Sequence, residues 1–366
     1  MAVSLSFPFS SDTCYSCQLQ ELAVSSSEDS RVYFTAYYID PDNHSARTLI
    51  FASTYATYHG TTTIHDIGTL LETYMQQNYL SAAQFVLSAR HIPTSDVIEH
   101  TLWVVHFPQR KTDIPADQLL TDHFLTDRIQ RITCRNAVER LPFFAPYGSA
   151  GGYTAYTYTV LATYRQPNGS IGTCTASVSG RSGYGVVSLS VSPKNIETHL
   201  RPQMPTDATL LSFVIRLDNR TATFYITDFT NCATFLYRNT YNCDEYLTLP
   251  LQLSEQITSK TSLARCSDSL QQYDTQHTRT YKAQTSLQTL NDARLFEEFL
   301  TSPLIHIVQG IRTYRILITD YTFDISDNPG TSNSVKFEFR FADIRQAMPL
   351  DEYSRIFSLE YTKPFV

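Results

Sequence analysis

Few stretches of this 366-residue chain gather side chains able to do chemistry. The densest is CATFLYRNTYNCDEYLTL at 232–249, where two cysteines stand among aromatic and Thr/Leu positions. A disulfide, a metal pair or a stacking platform would each use such residues. Cys14-Tyr15-Ser16-Cys17 is a C-x-x-C, which is half of a zinc site or a redox pair when the rest accompanies it. Two further ligands at similarly tight spacing are missing, and so is the βαβ pattern of a thioredoxin-like protein. Asp40-Pro41-Asp42-Asn43 lacks the spaced acids, glycine and closing glutamate of an EF-hand, and reads as a turn. Gly148 to Gly152 has neither the Lys-Ser/Thr nor the preceding parallel strand of a phosphate loop.

His65-Asp66-Ile67-Gly68 is similar to the tetrapeptide of HD-type metal-dependent phosphohydrolases, whose His-Asp pair ligates metal inside a helical bundle. Here the surroundings are β-rich, Thr69 stands where that family has Lys, and no helical His-rich partner follows. The simpler reading is the first turn of a helix, with Asp66 favoured by the helix dipole. No G-x-S-x-G elbow is present. Trp103, the single tryptophan, lies in TLWVVHF and reads as a core residue rather than a sugar-stacking platform. The sequons at Asn43, Asn168 and Asn219 fall on expected turns. No catalytic, cofactor-binding or metal-ligating residue is nominated, and the chain is expected to be non-enzymatic.

The bulk numbers agree with a folded, strand-rich chain. Hydrophobic residues make up 42% and charged residues 17%, while Tyr (24) and Phe (21) far outnumber Trp (1). Aromatic and β-branched enrichment favours strands over helices. A net charge of −7 without any Lys/Arg cluster excludes phosphate-driven nucleic-acid binding. No run reaches the roughly 20 apolar residues of a membrane-spanning helix, and the N-terminus lacks the basic and apolar regions of a secretion signal. The seven cysteines are therefore expected to be mostly reduced and buried.

Stepwise along the chain, residues 1–112 read as a β-rich domain with one short helix over 63–78, its apolar positions Ile67, Leu70, Leu71 and Tyr74 at helical spacing. Residues 113–150 read as a linker with mixed short elements, and 151–229 as a second β-sandwich-like domain with a helical turn at 192–200. Residues 31–107 and 152–229 share the order strand-turn-strand, short helix, strand-turn-strand, an architectural repeat with slight sequence identity. Residues 230–366 read as a β domain with a helix at 290–302, whose apolar face holds Leu295, Phe296, Phe299 and Leu300 and whose cap is Asn291 or Asp292. In SVKFEFRFAD, Val335, Phe337, Phe339 and Phe341 alternate with Lys336, Glu338 and Arg340, the period of a half-buried strand. The fold class is thus mainly β, with several antiparallel β-sandwich-like domains and a few short helices.

The last third holds the strand pair of ITDFTNCATFLYRNTYNCDEYLTL (226–249), the strand-strand-helix succession from Ser262 to Val308, and the closing hairpin of 314–343. In these features it resembles tail and baseplate structural proteins of bacteriophages and prophages. The resemblance implies a structural virion protein that acts by oligomeric, ring-like assembly with other tail or baseplate proteins, made in the host cytoplasm, with a host-surface contact allowed. It implies no catalytic residue. The rival reading is a cell-surface or periplasmic adhesin or carbohydrate-binding β-sandwich. In either reading CATFLYRNTYNCDEYLTL becomes two buried strand faces, Phe235 and Tyr237 on one and Tyr246, Leu247 and Leu249 on the other, around an Arg-Asn-Thr-Tyr-Asn connection.

Overall fold

A computed structural model describes residues 3–9, 11–41, 46–107, 113–145, 154–183, 185–228, 232–266, 269–287, 290–310, 312–324 and 333–343. The chain is mainly β with a few short helices, as the composition leads one to expect. It forms two compact units: residues 1–132, 139–226 and 239–245 make the first, and residues 133–138, 227–238 and 246–366 the second. Among the described residues no helix is long and apolar enough to cross a membrane.

The first unit is built twice over. Its first half runs β1 (Val3–Ser6), β2 (Thr13–Tyr15), β3 (Glu21–Ser26), β4 (Arg31–Ile39), β5 (Arg47–Ala56), β6 (Thr61–His65), α1 (Ile67–Gln77), β7 (Ala82–His91) and β8 (Val97–Val105). One sheet has the order β5-β4-β7-β8-β2, and a smaller one β1-β3-β6. The second half runs α2 (Ala116–Asp122), β9 (Gln130–Cys134), β10 (Arg140–Ala145), β11 (Thr154–Arg165), β12 (Ile171–Ser182), β13 (Gly185–Ser190), α3 (Pro193–Leu200), β14 (Thr209–Leu217) and β15 (Arg220–Thr227). Its sheets are β12-β11-β14-β15-β9 and β10-β13. Apart from β1, which the second half lacks, and α2, which the first half lacks, the α-helices and strands among the described residues follow the same order and sheet positions. The repeat also begins earlier than the strand-turn pattern suggests, because β2 and β9, short and without alternation, each supply a fifth strand.

Main-chain bonds align the halves residue by residue. The Asp12 carbonyl accepts from Trp103 N at 2.7 Å, and the Ile129 carbonyl accepts from Thr223 N at 2.7 Å. The Gln20 carbonyl accepts from Asp66 N at 2.8 Å, and that of Glu139 from Val191 N at 2.9 Å. Helix α1 starts at Ile67 rather than 63, because Thr61–His65 is taken up as β6 beside β3. Ile67, Leu71 and Met75, one and two turns apart, are buried. Segment 113–150 carries α2, β9 and β10, and it buries Leu119, Leu120, Leu125, Leu141 and Phe143.

The second unit centres on one seven-stranded sheet. It comprises β16 (Cys232–Arg238), β17 (Asp244–Pro250), β18 (Gln252–Cys266), β19 (Ser269–Leu287), β20 (Ile305–Gln309), β21 (Arg312–Asp324) and β22 (Asn333–Phe341), with α4 (Leu290–Thr301) between β19 and β20. The order is β17-β16-β20-β21-β22-β19-β18. Strands β17 and β18 occupy opposite edges although Leu251 alone separates them in sequence. The sheet must therefore curl until its two edges approach at that corner. Aromatic rings fill the curl: Phe235, Tyr237, Phe299, Phe337 and Phe339 are all essentially inaccessible. In β22, Val335, Phe337, Phe339 and Phe341 face inward as their alternation predicts. Phe296, Phe299 and Leu300 of α4 pack into the same core, while Leu295, Asn291 and Asp292 lie outside the residues whose side chains are described.

Candidate functional site

The sequence features that suggested chemistry are dispersed. His65 ends β6 with its ring largely in solvent, its Nδ1 3.5 Å from Glu21 Oε1. Asp66 precedes α1 in a left-handed conformation (φ 61°) and makes no side-chain cap bond. Gly68 is explained by packing: a Cβ there would stand 2.1 Å from the Ser16 carbonyl oxygen, while its N–H donates to Leu19 O at 2.7 Å. Cys14 is wholly buried on β2, and burial pushes its thiol up from the ordinary range. Cys17 is half-buried and shifted the same way, again mainly by burial. Among the described residues no three His, Cys, Asp or Glu side chains gather as a metal site.

Trp103 is half-buried, its ring centroid 5.1 Å from that of Phe144 in an edge-on contact. Asn168 closes its turn by accepting from Ser170 N and Oγ, and Asn219 donates to Asp122 Oδ1 at 3.0 Å. Asn43, Asp42 and Gly148 to Gly152 lie outside the described residues.

CATFLYRNTYNCDEYLTL divides. Phe235, Tyr237, Leu247 and Leu249 are buried strand residues of the second unit. The connection Asn239–Glu245 belongs to the first, and there it is a polar key. Asn239 Nδ2 donates to Leu125 O (2.8 Å) and Glu245 Oε2 (2.9 Å), while its Oδ1 accepts from Tyr241 N and Cys243 N. Asn242, in a left-handed conformation (φ 57°), donates to Met75 O and Leu80 O. The Tyr241 hydroxyl donates to Asp127 at 3.0 Å. Cys243 donates to Ser81 Oγ at 3.1 Å.

Beneath this key lies a buried ionic cluster. Arg131 Nη1 is 2.9 Å from Glu139 Oε2, and its Nη2 is 3.1 Å from Glu245 Oε1, with all three side chains fully buried. Arg128 adds a contact to Glu245 at 3.3 Å, and Thr126 Oγ1 donates to the same carboxylate at 2.9 Å. The Arg131 guanidinium also covers the Phe224 ring at 5.6 Å. Two cations balance two carboxylates here, and hydrogen bonds complete them, as buried charges require. Its chemistry is positional: it orders the connection. Sequence periodicity has no access to it, because Glu245 reaches its partners from a distant part of the chain.

The most exposed element is the β18–β19 hairpin. The two strands pair from Gln252–Gln284 out to Cys266–Ser269, yet β19 meets β22 only over Tyr281–Leu287. From Gln256–Thr280 outward the hairpin has no third strand among the described residues. This arm extends roughly 35 Å at about 3.4 Å per residue. The strand-strand pair read from Ser262 onward is in fact part of two much longer strands, of 15 and 19 residues. Ile257, Leu263 and Leu270 are 54%, 57% and 70% exposed. They share one face, the continuation of half-buried Leu253: β18 alternates without interruption, the bulge residue lies on β19, and Leu270 stands opposite Arg265. Glu255 and Arg279 form an exposed ion pair at 2.8 Å across the base of the arm.

No family model matches the chain, and no curated protein matches it. Among solved structures, native alpha-2-macroglobulin from Escherichia coli, spanning domains MG0-NIE-MG1, aligns at 10% identity with a TM-score of 0.20. The alignment covers 62% of this chain and 64% of that one, under two thirds of its length.

Proposed function

We propose that this chain is a structural, non-enzymatic component of a phage tail or baseplate, or of a phage-derived tail-like machine, and that it acts by assembling into a ring with copies of itself and with other tail proteins. It is a virion protein in this reading, assembled in the host cytoplasm. The observation that carries the proposal is the β18–β19 arm. A lone two-stranded hairpin is marginal in water, and a long uncovered edge strand is a template for pairing with another chain. An arm bearing a row of exposed Ile257, Leu263 and Leu270 gains stability when a neighbouring subunit covers it. A contact between an arm on one copy and a different surface on the next is heterologous, and it closes into a ring when the rotation allows.

Negative-stain imaging of the purified full chain tests this. Rings, or a tail protein that co-purifies, support the proposal. A strict monomer that binds a glycan sinks it in favour of an adhesin.

A further inference from the structure

Two cysteines that are far apart in sequence meet in the second unit. Cys134 closes β9 and is buried, whereas Cys232 opens β16 and is exposed. Their side chains are within hydrogen-bonding reach of each other. The segments that carry them also meet near Cys134: Thr227 Oγ1 donates to Thr133 O at 3.2 Å, and residues 133–138 and 227–238 belong to the same compact unit. The remaining described cysteines are placed differently. Cys14 is sealed in the core of the first unit, Cys17 is half-buried just after β2, Cys243 is bonded to Ser81, and Cys174 is half-buried on β12.

We infer that Cys134 and Cys232 form a thiol pair that a small organic disulfide, such as oxidised glutathione, converts into an intramolecular disulfide tying segment 133–138 to β16. Cys232 is the entry point because it is the member open to solvent. Its thiol loses a proton to solvent, and the thiolate attacks one reagent sulfur, breaking the reagent S–S bond and expelling one reagent thiol. The Cys134 sulfur, deprotonated in turn, attacks Cys232 in the mixed disulfide and expels the second reagent thiol. The protein loses two hydrogens and two electrons, and the reagent gains both. The hydrogen bond to Cys134, followed by burial, raises the Cys232 thiol above its ordinary range, so the exchange accelerates as the pH rises from neutral. The bond encloses the long chain segment between the two residues, which restricts the unfolded state.

The inference does not depend on the assembly proposal, and its test reads chemistry alone. The reduced full chain is incubated under native conditions with oxidised glutathione, remaining thiols are blocked by alkylation, and the unreduced digest is mapped by mass. The expected product joins the Cys134 and Cys232 peptides, with two thiols fewer per chain and a higher melting temperature. Cys134→Ser is expected to stop at a glutathione adduct on Cys232, and Cys232→Ser to leave Cys134 unmodified. Cys243→Ser is expected to retain the linked pair. A wild-type chain that keeps both thiols, halts at the adduct, or links either cysteine to another position overturns the inference.

Discussion

The two halves of the first unit share one topology but fill it differently. Alignment through the Asp12–Trp103 and Ile129–Thr223 bonds sets Cys14 against Arg131, and the Gln20 and Glu139 carbonyl bonds set those two residues against each other. In the first half the inner position holds a buried thiol and the outer one an exposed amide. In the second half the same positions hold a buried Arg–Glu pair, and Glu245 of the inserted connection completes it. The lesson is that topology fixes where a position lies but not what fills it. An arginine is tolerated in the second half because the chain returns with a carboxylate to neutralise it.

The sharpest way to break this comparison is Arg131→Met. It takes the Arg131 charge away from buried Glu139 and leaves Glu245 with Arg128, and is expected to cost about 3–5 kcal/mol in denaturant unfolding. Its counterpart Cys14→Ala should cost only about 1 kcal/mol, in the range of a small core truncation. Equal costs would mean that the halves are stabilised alike.

Helix entry offers a second contrast. Gly68→Ala drives a methyl group against the Ser16 carbonyl, and should destabilise by about 1–3 kcal/mol. The register-equivalent residue is Pro193, which has no N–H to donate, and Pro193→Ala should stay within about 1 kcal/mol. A neutral Gly68→Ala would show that the turn at 16–18 yields easily.

Removing Arg131 together with both carboxylates sharpens the first contrast further. Arg131→Met with Glu139→Gln and Glu245→Gln should recover part of the loss from Arg131→Met alone, since the two buried carboxylates lose their charge with it while Arg128 keeps its own. If the triple variant is as unstable as the single one, pairing is not what makes the arginine tolerable.

The smallest effect concerns protons. His106 follows β8 and is buried, with Nδ1 3.0 Å from Thr240 O, and burial lowers its pKa from the ordinary 6.5. Its register counterpart is Ile226, which does not titrate. Because the unfolded chain binds this proton more readily, the contribution is complete above about pH 6.5 and is lost as pH falls through the folded-state value. His106→Gln should flatten the unfolding midpoint between neutral and mildly acidic pH, and an unchanged slope would remove His106 as its source.

Much of the architecture was legible because it is local. Alternation in Val335 to Phe341 marked the inward face of β22, and Gln166 to Gly169 and Asp218-Asn219 marked the tight turns. The strand-helix-strand order of the halves was visible for the same reason. What stayed hidden depends on distant partners. Three-residue β2 has too few positions to show a period, and nothing near Gly68 in sequence reveals the Ser16 carbonyl pressed against it. Asn239 and Asn242 look like turn residues and Glu245 like the start of a strand, and their roles stay hidden because their partners come from Leu125, Met75 and Arg131. The arm was read as separate short strands, since its Ser/Thr/Gln-rich middle has no buried face to reinforce a pattern.

The assembly claim is tested most directly by light-scattering mass measured on the full chain and on a variant whose arm, residues 257–279, is replaced by a tight Asn-Gly turn. The account predicts that the full chain has a mass several times that of one chain, and that the shortened variant, still folded by circular dichroism, has the mass of a single chain. A full chain that remains monomeric at every concentration, or a shortened one that assembles as well as the original, would contradict it.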